Sequence, residues 1–215
     1  MTEWMDELLK AAEEKQRARI VPRGSALRVN DSALNLGADR VETRQERARL
    51  QYKPESTKVL FLGESPPSSG TFFYYFDSNL YKYTKDAFQE VYGYQAGAGE
   101  RFLQFFQSMG CWVDDLCLQP GKPKGAQCYQ AVPSLAARIR EAKPLAFVGV
   151  MLGIEMHLRK AIRLADLEDL PQYFLRFPAQ GNQRRYVDEL AAVLRRLQKA
   201  DILPGTVGGT SQTRA

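Results

Sequence analysis

The stretch that decides the fold is KVLFLGESPPSSGTFFYYF, residues 58–76. After Lys58 comes a short apolar run, residues 59–62, which stops at a glycine and predicts a buried β-strand over 58–62. One carboxylate, Glu64, follows that glycine, and two prolines and a Ser-Ser-Gly turn separate it from a run of aromatic residues. An acid between the end of a buried strand and a set of rings is the first candidate for a functional site.

The rest of the chain alternates short apolar runs with helical patterns. Strands are predicted at 58–62, 112–118, 144–150 and 172–177. Helices are predicted at 79–92, 99–109, 131–142, 152–164 and 182–199. Alternation of this kind is typical of βαβ units, so the sequence predicts an α/β fold with a four-stranded, mostly parallel sheet and helices on both faces.

The sequence predicts three segments. Residues 1–56 read as an amphipathic helix over 2–18 and a basic extension with a short helix over 39–50. Residues 57–203 form the main domain, and the Gly/Thr-rich residues 204–215 read as a disordered tail.

Composition argues against several classes of protein. No apolar run in the 215 residues approaches the length of a membrane span, and the acidic, amphipathic start is unlike a signal peptide, so we expect no membrane partner and a cytoplasmic location. The cysteines, Cys111, Cys117 and Cys128, form no CxxC pair, which argues against a disulfide framework and a zinc site. No metal is therefore expected.

The formal net charge of +5 is compatible with a nucleic-acid partner but does not require one. Arginines are concentrated between residues 17 and 49. This cluster has two interpretations, a solvated helical face or a surface that contacts phosphates.

Common catalytic signatures are absent or incomplete. The GESPP sequence at 63–67 imitates the G-x-S-x-G nucleophile elbow but ends in proline, and the single histidine, His157, lies in a helical pattern, so a Ser-His-acid triad is not expected. The GKPKG sequence at 121–125 lacks the spacing of a phosphate-binding loop, and the dinucleotide fingerprint is missing. We therefore expect no cofactor.

The strand ends point to a different chemistry. Ligands of open parallel sheets bind at the carboxyl ends of the strands, where Glu64, the Asp114-Asp115 pair and residues 177–182 are expected. Aromatic faces hold flat ligands, and a carboxylate can orient water or stabilise a developing cation during glycosidic cleavage. A base flipped out of DNA is such a ligand. Adjacent residues of a strand face opposite ways, so one aspartate would face the site and the other would cap or pair with an arginine.

Three motifs in these positions resemble the uracil-DNA glycosylase superfamily. Gly63-Glu64-Ser65-Pro66 resembles its first motif, closest to the forms of the iron–sulfur and mismatch-specific branches. FPAQGNQRR, residues 177–185, resembles the second motif, and WVDDLCLQP, residues 112–120, lies where the family has a Thr-Asn or similar pair. The resemblance spans roughly residues 57 to 198.

The resemblance implies a three-layer α/β/α sandwich and a monofunctional enzyme that hydrolyses an N-glycosidic bond in DNA and leaves an abasic site. Glu64 would position water, and Asp115 would face the edge of the flipped base; these are the expected catalytic residues. The expected base-binding residues are Gly63, Ser65, Pro66, Phe72, Phe73, Tyr75 and Phe177. The expected DNA-binding residues are Lys122, Lys124, Arg176, Gln180, Asn182, Arg184 and Arg185. The expected partner is DNA, bound by a monomer.

The chain also departs from the family pattern. Phe177 stands where the second motif often has a histidine that stabilises the departing base. Asp115 replaces an asparagine that reads uracil, and an ionised aspartate only accepts hydrogen bonds. Pro67 replaces a glycine, and the cysteines of the iron–sulfur branch are missing. The expected substrate is therefore uracil or another modified base.

Two further interpretations stay open. The first is a catalytically weak DNA-binding module on the same scaffold, and the second is a small-molecule hydrolase that uses the same pocket. At the level of single residues, Glu64 could cap the following turn, and the aromatic run at 72–76 could be ordinary core.

Overall fold

The computed structural model describes residues 43–205. Its four strands are β1 (Val59–Gly63), β2 (Cys111–Asp115), β3 (Ala146–Gly149) and β4 (Gln172–Phe174). They form one sheet in the order β2-β1-β3-β4, and every pairing is parallel. The predicted α/β fold is confirmed, with an all-parallel sheet.

Six α-helices lie within the described residues. They are α1 (Arg44–Gln51), α2 (Asn79–Tyr92), α3 (Glu100–Ser108), α4 (Ala126–Ala142), α5 (Glu155–Leu164) and α6 (Gln183–Lys199). Helix α2 packs against α6, and α4 packs against α5. With the sheet they form a three-layer α/β/α sandwich, as the resemblance implied.

The sheet is buried on both faces, and the central strand β1 is apolar throughout. All five residues of β1 and all five of β2 are buried, as expected when helices cover both faces of a parallel sheet. Phe61 of β1 packs against Phe88 of α2 and Phe106 of α3, with ring centroids 6.5 and 5.2 Å apart. These contacts fix the helices on one face of the sheet.

The outer edge of β2 is closed by a side chain. The Tyr74 hydroxyl donates to the carbonyl oxygen of Val113 at 2.9 Å and accepts from its backbone N–H at 2.8 Å. A free strand edge would leave these groups without partners, so Tyr74 replaces a neighbouring strand at this point.

Several predicted bounds need correction. Helix α4 begins at Ala126 and not at 131, and Pro133 lies inside it. Strand β2 ends at Asp115 and not at 118, although Leu116 and Cys117 still donate backbone hydrogen bonds to the chain end of β1. Strand β4 is shorter than the predicted 172–177.

Other predictions fall partly or wholly outside the described residues. The helix predicted over 2–18 lies outside them, and so does most of the tail at 204–215. The short helix predicted over 39–50 is described from residue 43 onward, where Thr43 caps α1 by accepting from the backbone N–H of Glu46 at 3.1 Å. Within residues 43–205, no helix is long and apolar enough to cross a membrane.

Candidate active site

A cavity of about 360 Å³ lies at the carboxyl ends of β1, β2 and β3. Its volume is within the range of about 300–1,000 Å³ that is typical of small-molecule sites. The residues that line it include Glu64, Phe72, Phe73, Asp115, Lys122 and Phe177. The strand-end positions that the sequence indicated therefore meet at one pocket.

The ends of β1 and β2 bring two carboxyl groups into this cavity. Gly63 is the register partner of Asp115, and Glu64 follows Gly63 directly. The carboxyl group of Asp115 lies over Gly63 so closely that a Cβ at that position would collide with Oδ1. Glycine is thus required here by the position of the neighbouring acid.

Asp114 and Asp115 have the opposite orientations that the strand geometry predicts. Asp114 is buried and binds two guanidinium groups, with Arg49 Nη1 3.0 Å from Oδ1 and Arg138 Nε 2.7 Å from Oδ2. It also accepts from the backbone N–H of Asp115 at 2.9 Å. Asp114 is therefore the aspartate that pairs with arginine, as was expected of one of the two, and its role is structural.

Asp115 is the member that lines the cavity. It is 7% exposed, and its carboxyl group accepts no hydrogen bond from any part of the chain that the structure describes. Burial, and then the charge of Asp114, raises the pKa of Asp115 to about 7, while Arg49 and Arg138 oppose the rise. The group can therefore be neutral or charged near neutral pH.

The backbone of Asp115 is held by the same network. Nη2 of Arg138 donates to its carbonyl oxygen at 2.5 Å, and Nη1 donates to Ser134 Oγ at 2.9 Å. Arg138, on helix α4, therefore holds both aspartates of β2 in place. Sequence reasoning missed this arginine and Arg49, because they lie 24 and 65 residues from Asp114 in the chain.

Glu64 is the second carboxyl group of the cavity. It is partly buried, and burial raises its pKa, while the charge of Lys122 acts in the opposite direction. Its carboxylate accepts no hydrogen bond from residues 43–205, so it does not cap the following turn. The group is free to bind a water molecule or a ligand.

Two loops at the cavity are tied together through backbone groups. Ser65 Oγ donates to the carbonyl oxygen of Gly121 at 2.5 Å, and the N–H of Gly121 donates to the carbonyl oxygen of Pro66 at 2.9 Å. These bonds place the neighbouring Lys122 at the cavity beside Glu64. Ser65 thus holds the loop and is not a free nucleophile.

The aromatic run divides between the core and the cavity. Phe72 and Phe73 line the cavity and are buried, whereas Tyr74 closes the edge of β2. Tyr75 does not line the cavity; it packs edge-on against Phe72, and the guanidinium of Arg44 lies 4.8 Å from its ring centre. Of the rings expected to bind a base, Phe72, Phe73 and Phe177 thus line the cavity, and Tyr75 packs against one of them.

The residues expected to bind DNA fall into three groups. Lys122, Lys124 and Arg176 are exposed and make no ion pair with the described carboxylates. Arg184 and Arg185 instead form ion pairs along α6, with Asp188 at 2.7 Å and Glu189 at 2.6 Å. Gln180 and Asn182 lie in the turn that precedes α6, where the side-chain amide of Asn182 donates to the carbonyl oxygen of Ala179 at 3.1 Å.

The histidine lies away from this site. His157 is on α5, its ring is packed edge-on against Tyr129 at 5.3 Å, and it does not line the cavity. Within the described residues, no cluster of His, Cys, Asp and Glu side chains could hold a metal ion. The ionisable side chains that line the cavity are Glu64, Asp115 and Lys122.

No protein-family model matches the chain, and no curated protein matches it.

Proposed function

We propose that the protein is a DNA glycosylase-like enzyme that hydrolyses the N-glycosidic bond of uracil or another modified base. The observation that supports this most strongly is that Glu64 and Asp115 line one cavity together with three phenylalanines. The motif resemblance described above supports the same activity.

The cavity suits a flat heterocycle. Phe72, Phe73 and Phe177 line it, and aromatic rings bind bases by stacking without selecting one sequence. A base must leave the duplex to enter such a pocket, and a mismatched or damaged base does so at the lowest cost. The pocket thus favours a single flipped base over a whole nucleic-acid strand.

Glu64 is the residue that activates water in this proposal. Cleavage of a glycosidic bond passes through an oxocarbenium-like state, which a nearby carboxylate stabilises while it accepts a proton from water. Glu64 has the freedom for this role, since none of the described residues donates a hydrogen bond to its carboxylate.

The surface beside the cavity suits a phosphate backbone. Lys122 lies at the cavity, and Lys124 and Arg176 are exposed cations without ion-pair partners in the described region. Such groups bind phosphates independently of sequence, and the binding weakens as the salt concentration rises. Arg184 and Arg185 would first have to leave their partners on α6.

The test is a base-excision assay with a matched pair of variants. Oligonucleotides that contain uracil, hypoxanthine, xanthine or hydroxymethyluracil, single- and double-stranded, are incubated with the protein and then heated in alkali, which cleaves abasic sites. We expect cleavage of at least one substrate by the wild type and by Glu168→Gln, an exposed control, and none by Glu64→Gln.

The second candidate function is a DNA-binding module without turnover. It is favoured by Phe177, an apolar wall at a position where a polar group could stabilise a departing base. Salt-sensitive DNA binding with no cleavage of any substrate would support this candidate and contradict the enzyme. Absence of DNA binding would contradict both and favour a small-molecule hydrolase.

A further inference from the structure

The two carboxyl groups of the cavity differ in their surroundings. Glu64 is partly exposed and faces the cation of Lys122, whereas Asp115 is buried at the end of β2. Carboxyl groups that share a site but differ in environment commonly divide into an acid and a base. Asp115 can therefore have a role that differs from that of a charged Glu64.

We propose that Asp115 is the general acid of this reaction and that its carboxyl O–H protonates the departing base while Glu64 takes a proton from the attacking water. The inference rests on the proposed function, and it adds a source for the leaving-group proton that Phe177 cannot supply.

The cavity offers few alternative donors. The hydroxyl of Ser65 donates to Gly121, and those of Ser68 and Ser78 are alcohols, which are far weaker acids than a carboxyl group. The hydroxyl of Ser69 is paired with Thr71. Lys122 is exposed, and its charge lowers the pKa of Glu64 against the effect of burial.

The atoms balance over one turnover. The water oxygen forms a bond with C1′ of the sugar as the bond from C1′ to the base nitrogen breaks, and the bonding electrons leave with the base. Glu64 accepts one water proton, and the base takes the proton of Asp115. Transfer of the proton from Glu64 to Asp115 through solvent restores both groups, so that one water is consumed.

The charges around Asp115 determine when it holds its proton. The titratable and charged groups that act on it are Asp114 on β2, Glu64 after β1 and the Cys117 thiol, together with Arg49 on α1 and Arg138 on α4. Burial and the two carboxylates outweigh the two arginines, and the pKa of Asp115 rises to about 7. The proton is therefore present below neutral pH, and the rate should fall as pH rises through that value.

The experiment compares leaving groups. Rates of base release are measured for uracil and the more acidic fluorouracil, and for hypoxanthine and the more acidic xanthine, with wild type, Asp115→Asn and the exposed control Asp169→Asn. Asparagine keeps the shape and the hydrogen-bonding capacity of the acid but cannot give up a proton.

A general acid contributes about 100-fold or more to rate. We therefore expect Asp115→Asn to lose about 100-fold in kcat on the less acidic base of a pair, and several-fold less on the more acidic one. The decline of the wild-type rate above about pH 7 should disappear in this variant, because no proton remains to be lost.

Equal losses on both bases of a pair, or an unchanged pH profile in Asp115→Asn, would overturn the inference and leave the glycosylase standing. Full activity of Asp115→Asn would show that the residue only reads the base, which also overturns it. Wild-type protein that releases none of the four bases would overturn the proposed function and this inference together. The wild-type pH profile gives a second test if the variant does not fold.

Discussion

The carboxyl group of Asp115 occupies the space that a side chain on Gly63 would need. The two residues are register partners on neighbouring strands, and Glu64 follows Gly63 directly. Gly63 therefore leaves room for the carboxyl group of Asp115, which comes from β2, while Glu64 enters the same cavity from the end of β1.

Gly63→Ala should disturb the site more than the fold. The added methyl group meets Asp115 Oδ1, so the carboxyl group has to move, and overpacking of this kind costs about 1–3 kcal/mol in the free energy of unfolding. We expect loss of base release at least tenfold in a protein that still unfolds cooperatively in urea.

The matched control for this variant is Gly153→Ala. No atom lies within 4 Å of a Cβ at that position, so both stability and activity should stay near the wild-type values. Wild-type activity in Gly63→Ala would mean that the position of Asp115 is unimportant for catalysis.

Arg138→Met should lower stability and move the pH profile. It removes a guanidinium from the buried Asp114 and from the backbone of Asp115, at a cost of about 3 kcal/mol in the free energy of unfolding. Because Arg138 lowers the pKa of Asp115, its loss should raise that pKa and shift the alkaline limb of the rate to higher pH.

Urea unfolding measures the loss of stability, and a pH–rate series measures the shift of the alkaline limb. Arg163→Met, an exposed arginine without an ion pair to the described carboxylates, serves as the control and should change neither. A shift of the alkaline limb to lower pH would contradict the electrostatic account of Asp115.

Asp115→Asn should change how stability depends on pH. A carboxyl group whose pKa is higher in the folded state than in the unfolded state binds its proton more tightly when the protein is folded. The free energy of unfolding therefore falls as pH rises from the unfolded-state pKa toward the folded-state pKa. The rise from 3.8 to about 7 corresponds to a loss of up to about 4 kcal/mol in the wild type between about pH 4 and 7.

Because asparagine does not ionise, the stability of the variant should increase relative to that of the wild type as pH rises through this interval. Thermal melting at about pH 4.5 and pH 8 measures the difference, and other titrating groups cancel because they are common to both proteins. A constant difference between the two melting curves at both pH values would contradict the raised pKa.

Lys122→Gln should weaken binding to undamaged and damaged DNA alike. A phosphate contact carries no sequence information, so the affinity should fall by a similar factor for both, and the salt dependence of binding should decrease by about one unit. The acidic limb of the rate should also move to higher pH, because Lys122 lowers the pKa of Glu64.

Fluorescence anisotropy at several salt concentrations measures the first effect. Lys199→Gln, an exposed lysine at the far end of α6, is the control and should leave the salt dependence unchanged. An unchanged salt dependence in Lys122→Gln would place the DNA, if it binds, away from the cavity.

The sequence predicted the framework well because local signals were strong. Ser78 caps α2 and Gly93 follows its last residue, so the predicted bounds of 79–92 match the observed helix. The start of α4 was missed because Pro133 reads as a residue of a first helical turn, whereas here it lies well inside the helix.

The site could be predicted only in part. Glu64, Asp115, Phe72 and Phe73 were identified because they adjoin strand ends, whose positions follow from the apolar runs. The pKa of Asp115 could not be predicted, because it depends on Arg49 and Arg138, which reach Asp114 from distant parts of the chain. Likewise, nothing in the run 72–76 distinguished the rings that line the cavity from Tyr74 and Tyr75.

The most direct test of the central claim is detection of the free base itself by mass spectrometry under single-turnover conditions. The account predicts that the wild-type protein releases one of the modified bases from an oligonucleotide and leaves the sugar-phosphate chain intact, whereas Glu64→Gln binds the same oligonucleotide and releases none. Wild-type protein that binds these oligonucleotides without releasing any base, or Glu64→Gln that releases it as fast as the wild type, would contradict the account.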